Sequence, residues 1–216
     1  MRQGWEIRKL GEVCDFQNGF AFKSKTFKEK GIPIVRITNI QDEKLNLSKV
    51  VYIDPKDYDK DLSRYEIRKS DLLIAMSGAT TGKIGIHQTD EKLLLNQRVG
   101  KFSPKPVLNK SFLFNFLATK VEESLSISAG AAQPNLSTEQ IKNFKIPLPP
   151  LPEQKRIVAV LDEAFAAIDK AKANAEQNLK NAKELFESYL QGVFENKGEG
   201  WEEKALGGSF IKNRNC

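Results

Sequence analysis

The sequence predicts a mixed α/β (α+β) domain followed by one long coiled-coil α-helix. Up to residue 145, short apolar or alternating runs are separated by glycine and proline turn signals, which is the pattern of strands and turns. Residues 146–152 then carry four prolines. From residue 153 to residue 194 there is no proline, and apolar or small residues recur at helical spacing.

The first domain, assigned to residues 1–145, contains several segments with the composition of strands. Ser111 is expected to cap a helix from Phe112 to about Leu125, and Ser137 to open a capping box and a short helix. Residues 23–30 are expected to form a polar loop that is dense in lysine. The strand segments are residues 34–38, 50–53, 72–76, 83–86 and 98–102.

Residues 146–152, Ile-Pro-Leu-Pro-Pro-Leu-Pro, form a junction. Proline restricts φ and has no N–H to donate, so this stretch is expected to be extended and stiff. Pro152 suits the entry to a helix, where Glu153 complements the positive end of the helix dipole.

Residues 153–196 are predicted to form one long spacer and dimerisation helix. Its apolar or small residues recur in steps of four and three, with one extra step of four that makes a stutter in the heptad pattern. Such a stripe requires a second helix to cover it. An ordinary long helix on a globular core is the alternative, disfavoured because a rod of roughly 60 Å exceeds what the preceding domain covers. The stripe, called the seam below, consists of Ile157, Leu161, Ala164, Ile168, Ala171, Ala175, Leu179, Ala182, Phe186, Tyr189 and Val193.

The positive charge lies in the N-terminal part of the chain. Residues 1–152 contain 24 basic and 17 acidic side chains, a net charge of +7, whereas residues 153–200 carry −2. This balance suits a phosphate-bearing partner, although a solubilising surface would have the same composition.

Cys14 and Cys216 form neither a disulfide framework nor a metal-ligand spacing, and no apolar run approaches the roughly 18 residues of a membrane span. We expect a reduced, cytoplasmic protein with no membrane partner.

No catalytic constellation is evident in the sequence. Residues 77–83, Ser-Gly-Ala-Thr-Thr-Gly-Lys, miss the phosphate-loop spacing by one residue, and Ile84 stands where that loop needs Ser or Thr. Two interpretations remain for them, contact with a nucleic-acid phosphate or a tight hairpin with glycines at positive φ. His87, the only histidine, has no Ser or Cys partner, and the acidic residues of segment 54–66 match no metal motif. We therefore predict no metal site and no cofactor in this chain.

An internal repeat links the two ends of the sequence. The frame Gly-Trp-Glu-x-x-x-Leu-Gly occurs at residues 4–11 and again at residues 200–207. Such repeats suggest a unit of one domain plus one connector. Residues 197–216 are accordingly interpreted as the start of a truncated second copy that forms a flexible tail.

The junction and its surroundings resemble the specificity (S) subunits of type I restriction-modification enzymes. The resemblance is strongest at residues 146–158, Ile-Pro-Leu-Pro-Pro-Leu-Pro-Glu-Gln-Lys-Arg-Ile-Val. It extends to residues 5–11, to residues 78–85 together with Asn96 and Gln97, and to residues 130–137. These stretches follow one another in the order found in that family.

The resemblance implies that residues 1–145 are a target recognition domain for double-stranded DNA and that the long helix is a spacer. Family members usually have two such units, whose helices pair antiparallel while each domain reads half of a split target. The methyltransferase (M) subunits and, where present, the restriction (R) subunit supply the adenine methylation and cleavage. The chain is then non-catalytic by itself, and S-adenosylmethionine, ATP and Mg are expected in the partner subunits.

This chain contains one unit, which leads to the hypothesis of a half-size S subunit. Two copies would pair as a homodimer with antiparallel helices and read a symmetric, interrupted palindrome. One alternative is a coiled-coil scaffold protein without sequence-specific DNA binding. The other is a stand-alone DNA methyltransferase, which the missing cofactor signatures disfavour.

Candidate DNA contacts fall into two groups. Base readout is expected outside the family pattern, in segments 23–30, 41–49 and 54–68, because members read different targets. Arginine and lysine favour guanine edges, and asparagine and glutamine favour adenine edges. The candidates in or near these segments are Lys23, Lys25, Lys28, Arg36, Asn39, Gln41, Arg64 and Arg68. Those within the family pattern, assigned to fold, phosphate contact or M-subunit docking, are Thr80, Thr81, Lys83, Gln97 and Gln133.

Overall fold

The computed structural model describes residues 4–128, 135–196 and 198–201, which divide into two compact units at Leu161. The first unit contains short strands and helices, and one long helix starts in it and continues into the second. The strands are β1 (Glu6–Lys9), β2 (Cys14–Asn18), β3 (Ile32–Val35), β4 (Ile40–Gln41), β5 (Lys44–Leu45), β6 (Val51–Ile53), β7 (Glu66–Ile67), β8 (Leu72–Ala75), β9 (Ile84–Ile86), β10 (Leu93–Leu95), β11 (Val99–Pro104) and β12 (Lys145–Leu148). The helices are α1 (Leu10–Val13), α2 (Lys110–Ala118), α3 (Val121–Ser128), α4 (Thr138–Lys142) and α5 (Leu151–Glu195).

A six-stranded sheet, in the order β2-β11-β8-β9-β5-β4, separates two hydrophobic cores. Strand β8 contributes to both, since successive side chains of a strand point to opposite faces. Leu72 and Ile74 lie in the core that also holds residues of α2 and α4, whereas Leu73 and Ala75 lie in the other. That second core is shared with a four-stranded sheet in the order β6-β3-β10-β7. The expected mixed α/β domain with a long C-terminal helix is confirmed.

The structure corrects two expectations about the helix predicted for residues 112–125, its N-terminal cap and its length. Asn109, not Ser111, caps α2, because its side-chain oxygen accepts the N–H of Phe112 at 3.0 Å. The helix predicted for residues 112–125 is in fact two helices, since a turn at Thr119 and Lys120 separates α2 from α3. The capping box at Ser137 is confirmed.

The strand expected at residues 34–38 ends at Val35, and the chain then turns. The Asn39 side chain accepts the N–H of Arg36 at 2.9 Å and closes a short helical turn, Ile37–Asn39. Asparagine side chains that bond to nearby backbone compete with strand pairing in this way.

The junction belongs to the first domain instead of following it. Strand β12 pairs antiparallel with β1, with Pro147 opposite Ile7, so the expected extended conformation is present. The next helix begins at Leu151, and its Gln154 side chain is fully buried. Ile157 packs against the first core. The first compact unit therefore extends to Leu161 and includes the junction, whereas the sequence placed the end of the recognition domain at residue 145.

Beyond that boundary, α5 continues as a helix to Glu195 with its side chains in solvent. Every side chain from residue 162 to residue 191 is exposed in the single chain. Among the described residues, no helix combines the length and the apolar character that a membrane span requires.

The hairpin between β4 and β5 stores backbone strain. Its two turn residues, Asp42 and Glu43, have φ of 48° and 62°, where L-residues are disfavoured by about 1 kcal/mol. We predict that Glu43→Gly stabilises the domain by about that amount, because Asp-Gly suits a two-residue hairpin. The midpoint of thermal unfolding should rise by roughly 2–4 °C. Glu29→Gly, at an exposed position without positive φ, is the control. A lower or unchanged Tm for Glu43→Gly would contradict the strain.

Candidate nucleic-acid interface

A cluster of four aromatic rings connects the loop after β2 to the segment after β6. The centroids of Phe20 and Phe22 lie 5.0 Å apart, and Tyr58 lies 5.6 Å from Phe20 and 5.5 Å from Phe22. Tyr65 packs on Phe20 at 5.3 Å. Edge-to-face and tilted ring pairs of this kind stabilise beyond their burial alone. The cluster therefore fixes two loops that sequence analysis had assigned separately to base readout.

Two cations lie over this aromatic cluster. The Lys60 ammonium is 5.6 Å from the centroid of the Phe20 ring, and the Arg64 guanidinium is 5.1 Å from that of Tyr65. Cation–π contact holds the positive groups at the surface without neutralising their charge. Both remain available to an anionic partner.

Arg64 borders an open cleft, called the recognition cleft below, that Gln17, Asn18, Tyr65 and Thr138 also line. The Gln17 side-chain amide donates to the backbone carbonyl of Arg64 at 2.6 Å. The Thr138 hydroxyl donates to the Asn18 side-chain oxygen at 3.0 Å. The cleft thus brings together one guanidinium and two amides, the groups that discriminate guanine and adenine edges. Asp15 lies on the same cleft and would repel a phosphate there.

Sequence reasoning found Arg64 but missed Gln17, Asn18, Lys60 and Thr138. The signal for the two amides was their position between aromatic residues at the end of a strand. Thr138 is 120 residues from Asn18 along the chain, and only the fold brings them together.

A second polar group, around Arg36, is committed mostly to its own loop. Asn39 is only 3% exposed, and its amide donates to the carbonyl of Asn46 at 3.0 Å. Asn39 therefore has little surface to offer a base edge in the single chain, and base readout by Asn39 stays a prediction. Gln41 is exposed but donates to the carbonyl of Thr38 at 2.9 Å. The Nε of Arg36 is buried and has no hydrogen-bond partner in the described part of the chain.

Of the three candidate lysines in the lysine-rich loop, Lys28 forms ion pairs, whereas Lys23 and Lys25 face solvent. Lys28 forms ion pairs with Asp57 at 2.8 Å and with Asp54 at 3.8 Å. The hydrogen bond that the Lys28 ammonium donates to the Asp57 carboxylate raises the pKa of Lys28, so its charge is already compensated. Lys23 and Lys25 flank and occupy a short helical turn and are exposed.

Arg68 is also exposed, and its guanidinium stands 3.8 Å from the carboxylate of Glu66. Such an exposed pair contributes little energy, so the guanidinium remains free to exchange partners.

The glycine-rich loop between β8 and β9 is a packed turn. Gly82 has φ of +84°, and a Cβ there would lie 2.7 Å from the Cβ of Ser124 on α3. Thr81 is buried and its hydroxyl donates to the carbonyl of Gly78 at 2.7 Å, while the Thr80 hydroxyl oxygen is also buried. The loop is a tight turn with Gly78 and Gly82 at positive φ, as one of the two interpretations predicted. Phosphate contact through Thr80 and Thr81 stays a prediction, and both hydroxyl groups are buried in the single chain. Lys83 and Gln97 are exposed, whereas Gln133 lies outside the described residues.

His87, Asp54 and Asp61 take part in hydrogen bonds that stabilise local structure. His87 is buried, with its Nε2 2.8 Å from the carbonyl of Glu91. Asp54 and Asp61 accept backbone N–H bonds that close local turns. In the described ranges no cluster of His, Cys, Asp and Glu is arranged to hold a metal ion. Burial raises the pKa of the Cys14 thiol to about 12, so it is unreactive near neutral pH.

The predicted seam remains a continuous apolar stripe on α5, with one change at its start. Ile157 is half-buried against its own domain. Farther along, Leu179 is 59% exposed, Phe186 65% and Tyr189 73%. A long row of large apolar side chains in water is the mark of an interaction surface.

A family model described as the type I restriction modification DNA specificity domain matches residues 2–181. The MjaVIII specificity subunit of a type I restriction enzyme from Methanocaldococcus jannaschii is 33% identical over 197 residues, covering 88% of this chain and 46% of that protein. The EcoAI specificity subunit from Escherichia coli is 34% identical over 177 residues, covering 79% and 30%. The chain thus spans less than half the length of these relatives.

Solved structures share the fold. The HsdS subunit from Thermoanaerobacter tengcongensis superposes with a TM-score of 0.60 at 26% identity, covering 79% of this chain and 40% of that one. A chain from a study of assembly and conformational transition in a type I R-M system has a TM-score of 0.65 at 26% identity, covering 84% and 44%. With a family model that matches most of its length, the chain belongs to the type I restriction-modification specificity subunits.

Proposed function

We propose that this chain binds one half of a bipartite DNA target through the recognition cleft and selects the sequence there. The observation that carries the proposal is the cleft itself, where Arg64, Gln17 and Asn18 stand together. The +7 charge of residues 1–152 supports it, since most of the affinity for DNA comes from phosphates. Lys25 and Lys60 then contact the backbone, and the cleft residues contact base edges.

Two copies of the chain form the working unit. The exposed seam of α5 supports an antiparallel homodimer, because burying it needs a second helix of the same length. A two-fold axis relates the two recognition domains, so the target is a symmetric, interrupted palindrome. The helix pair sets the gap between the half-sites and offers a docking surface to M and R subunits. S-adenosylmethionine, ATP and Mg act in those subunits, and this chain remains non-catalytic.

Selection from a random library of duplex DNA tests this function. The chain is incubated with the library, with and without its cognate M subunit, and the retarded DNA is sequenced. We expect one recurring half-site in the retarded DNA. Retardation without any enriched sequence, or no retardation in either mixture, would leave a coiled-coil scaffold as the function and overturn the proposal.

Substitutions of Arg64 and of Lys25 are expected to have different effects on DNA binding. Arg64→Ala should weaken binding of the selected target roughly 30-fold or more and relax one base position in each half-site, because arginine reads guanine bidentately and the homodimer loses this contact twice. Lys25→Ala should weaken all duplexes alike and lower the salt slope by about one per protomer. Anisotropy titrations at several salt concentrations separate the two. If Lys25→Ala changed the preferred sequence instead, the assignment of the two residues would be wrong.

A further inference from the structure

Gly192 is the one glycine in α5 and lies in its last turn, on a cleft that Tyr189 and Trp201 of the same chain also line. A Cβ built at this position would meet nothing within 4 Å. Glycine inside a helix costs about 1 kcal/mol relative to alanine. Since no neighbour of the same chain would contact a Cβ at this half-buried position, the backbone there is open to a side chain of another molecule.

The spacing of the seam is symmetric about Ala175. Read from Ile157 to Ala175 the steps are four, three, four, three and four, and read backwards from Val193 to Ala175 they are the same. The stutter therefore lies at the centre of the stripe. Residue i is mirrored by residue 350 − i, so a second copy running antiparallel meets the seam with an identical seam. A shift by one heptad breaks this match, because the extra step of four would then face a step of three.

Side-chain volumes are complementary in this register. Each bulky seam residue of the middle part lies opposite an alanine of the partner, as knobs-into-holes packing requires. Phe186 meets the partner's Ala164, Ile168 meets the partner's Ala182, and Leu179 meets the partner's Ala171. Parallel pairing would instead place Phe186 on Phe186 and alanine on alanine, which leaves alternating overpacked and empty layers.

The flanks of the seam follow the same rule, and they account for Gly192. In an antiparallel pair, residues that directly precede a seam residue face the equivalent residues of the partner helix. Val160, which precedes Leu161 and is 54% exposed, therefore lies opposite the partner's Gly192, which precedes Val193. By the same relation Leu185 meets the partner's Ala167. On the other side Lys172 meets the partner's Glu176, and the charges are opposite.

We propose that two copies of this chain pair through α5 in one specific register, with the two-fold axis at Ala175 and with the partner's Val160 seated on Gly192. The proposal rests on the proposed homodimer and adds its contacts. The occupant of the exposed stripe is a second copy of the same helix, because spacing, volume and charge are all self-complementary about one residue.

Disulfide formation at single introduced cysteines tests the register. In a Cys216→Ser background, Ala175→Cys should link two chains on air oxidation, since its two copies meet at the axis within the reach of a disulfide. Cys14 is buried with its pKa raised and can stay. The matched control is Ala164→Cys, also a seam alanine, whose two copies are 22 residues apart along the helix axis, about 33 Å. It should remain unlinked.

A second experiment exchanges the side-chain volumes at two seam positions that face each other in the proposed dimer. Ala164→Phe alone should weaken the dimer at least tenfold, because it places phenylalanine against the partner's Phe186. The double variant Ala164→Phe with Phe186→Ala should restore affinity to within a few-fold of the original. Sedimentation equilibrium measures both.

The outcomes distinguish an error in the proposed register from an error in the proposed homodimer. A dimer that links through Ala164→Cys as readily as through Ala175→Cys, or that is not rescued by the exchange, overturns the register while the homodimer stands. A chain that is monomeric at micromolar concentration overturns both.

Discussion

Leu179→Glu is expected to convert the dimer into monomers. Leu179 is 59% exposed in the single chain and lies about one helical turn from the proposed two-fold axis at Ala175. Burying a leucine contributes about 1.5–3 kcal/mol, and the substitution both removes that gain and places a carboxylate in an apolar layer. A homodimer carries the change twice. We therefore expect a loss of about 4–6 kcal/mol, on the order of a 10³-fold rise in the dimer Kd.

Ala173→Glu is the matched control for this change. It introduces the same carboxylate into the same helix, but on the face opposite the seam. Light scattering at several concentrations should show a dimer for Ala173→Glu and a monomer for Leu179→Glu. Thermal unfolding of the first compact unit should be unchanged in both, since neither substitution lies within it. Equal dimerisation of the two variants would refute the role of the seam.

Gln154→Ala is expected to destabilise the first unit strongly. The buried amide accepts the N–H of Asn109 at 2.8 Å and donates to the carbonyls of Val107 at 2.9 Å and Pro149 at 2.8 Å. Alanine leaves three backbone groups without this partner, at about 1–3 kcal/mol for each that stays buried and unpaired. The free energy of unfolding should fall by about 3 kcal/mol or more, and Tm by roughly 10 °C.

Gln177→Ala is the control, because Gln177 is an exposed glutamine of the same helix that bonds only to the Asn181 side chain. Thermal denaturation followed by circular dichroism should place it within about 1 °C of the unchanged protein. Stability of Gln154→Ala close to that of Gln177→Ala would mean that water replaces the lost hydrogen bonds and that Gln154 does not hold the helix to the domain.

Local chemistry made several features predictable from the sequence. The helix α4 follows from the capping box at Ser137, and the extent of α5 from a proline-free stripe at helical spacing. Strands β6, β8 and β9 were predicted from short apolar runs, which are fully buried in β8 and partly buried in β6 and β9. In each case the signal lies within a few residues of the element that it specifies.

Long-range contacts were not predictable in the same way. Strand β1 has four exposed residues and forms only because β12, far along the chain, pairs with it. Burial of Gln154 depends on its hydrogen bonds to Val107, Asn109 and Pro149, two of which lie about 45 residues away along the chain. Asn39 resembled a base reader, yet its amide is used to close a loop. The recognition cleft combines residues from β2, from the segment before β7 and from α4, and only the three-dimensional arrangement reveals it.

Sequencing the methylated DNA of cells that express this chain with a cognate M subunit tests whether two identical recognition domains select the target. A homodimer built about Ala175 carries two identical recognition clefts in inverted orientation. The methylated motif should therefore be an interrupted palindrome with two identical half-sites and a fixed gap. A motif with two different halves, or methylation without any recurring half-site, would contradict the account.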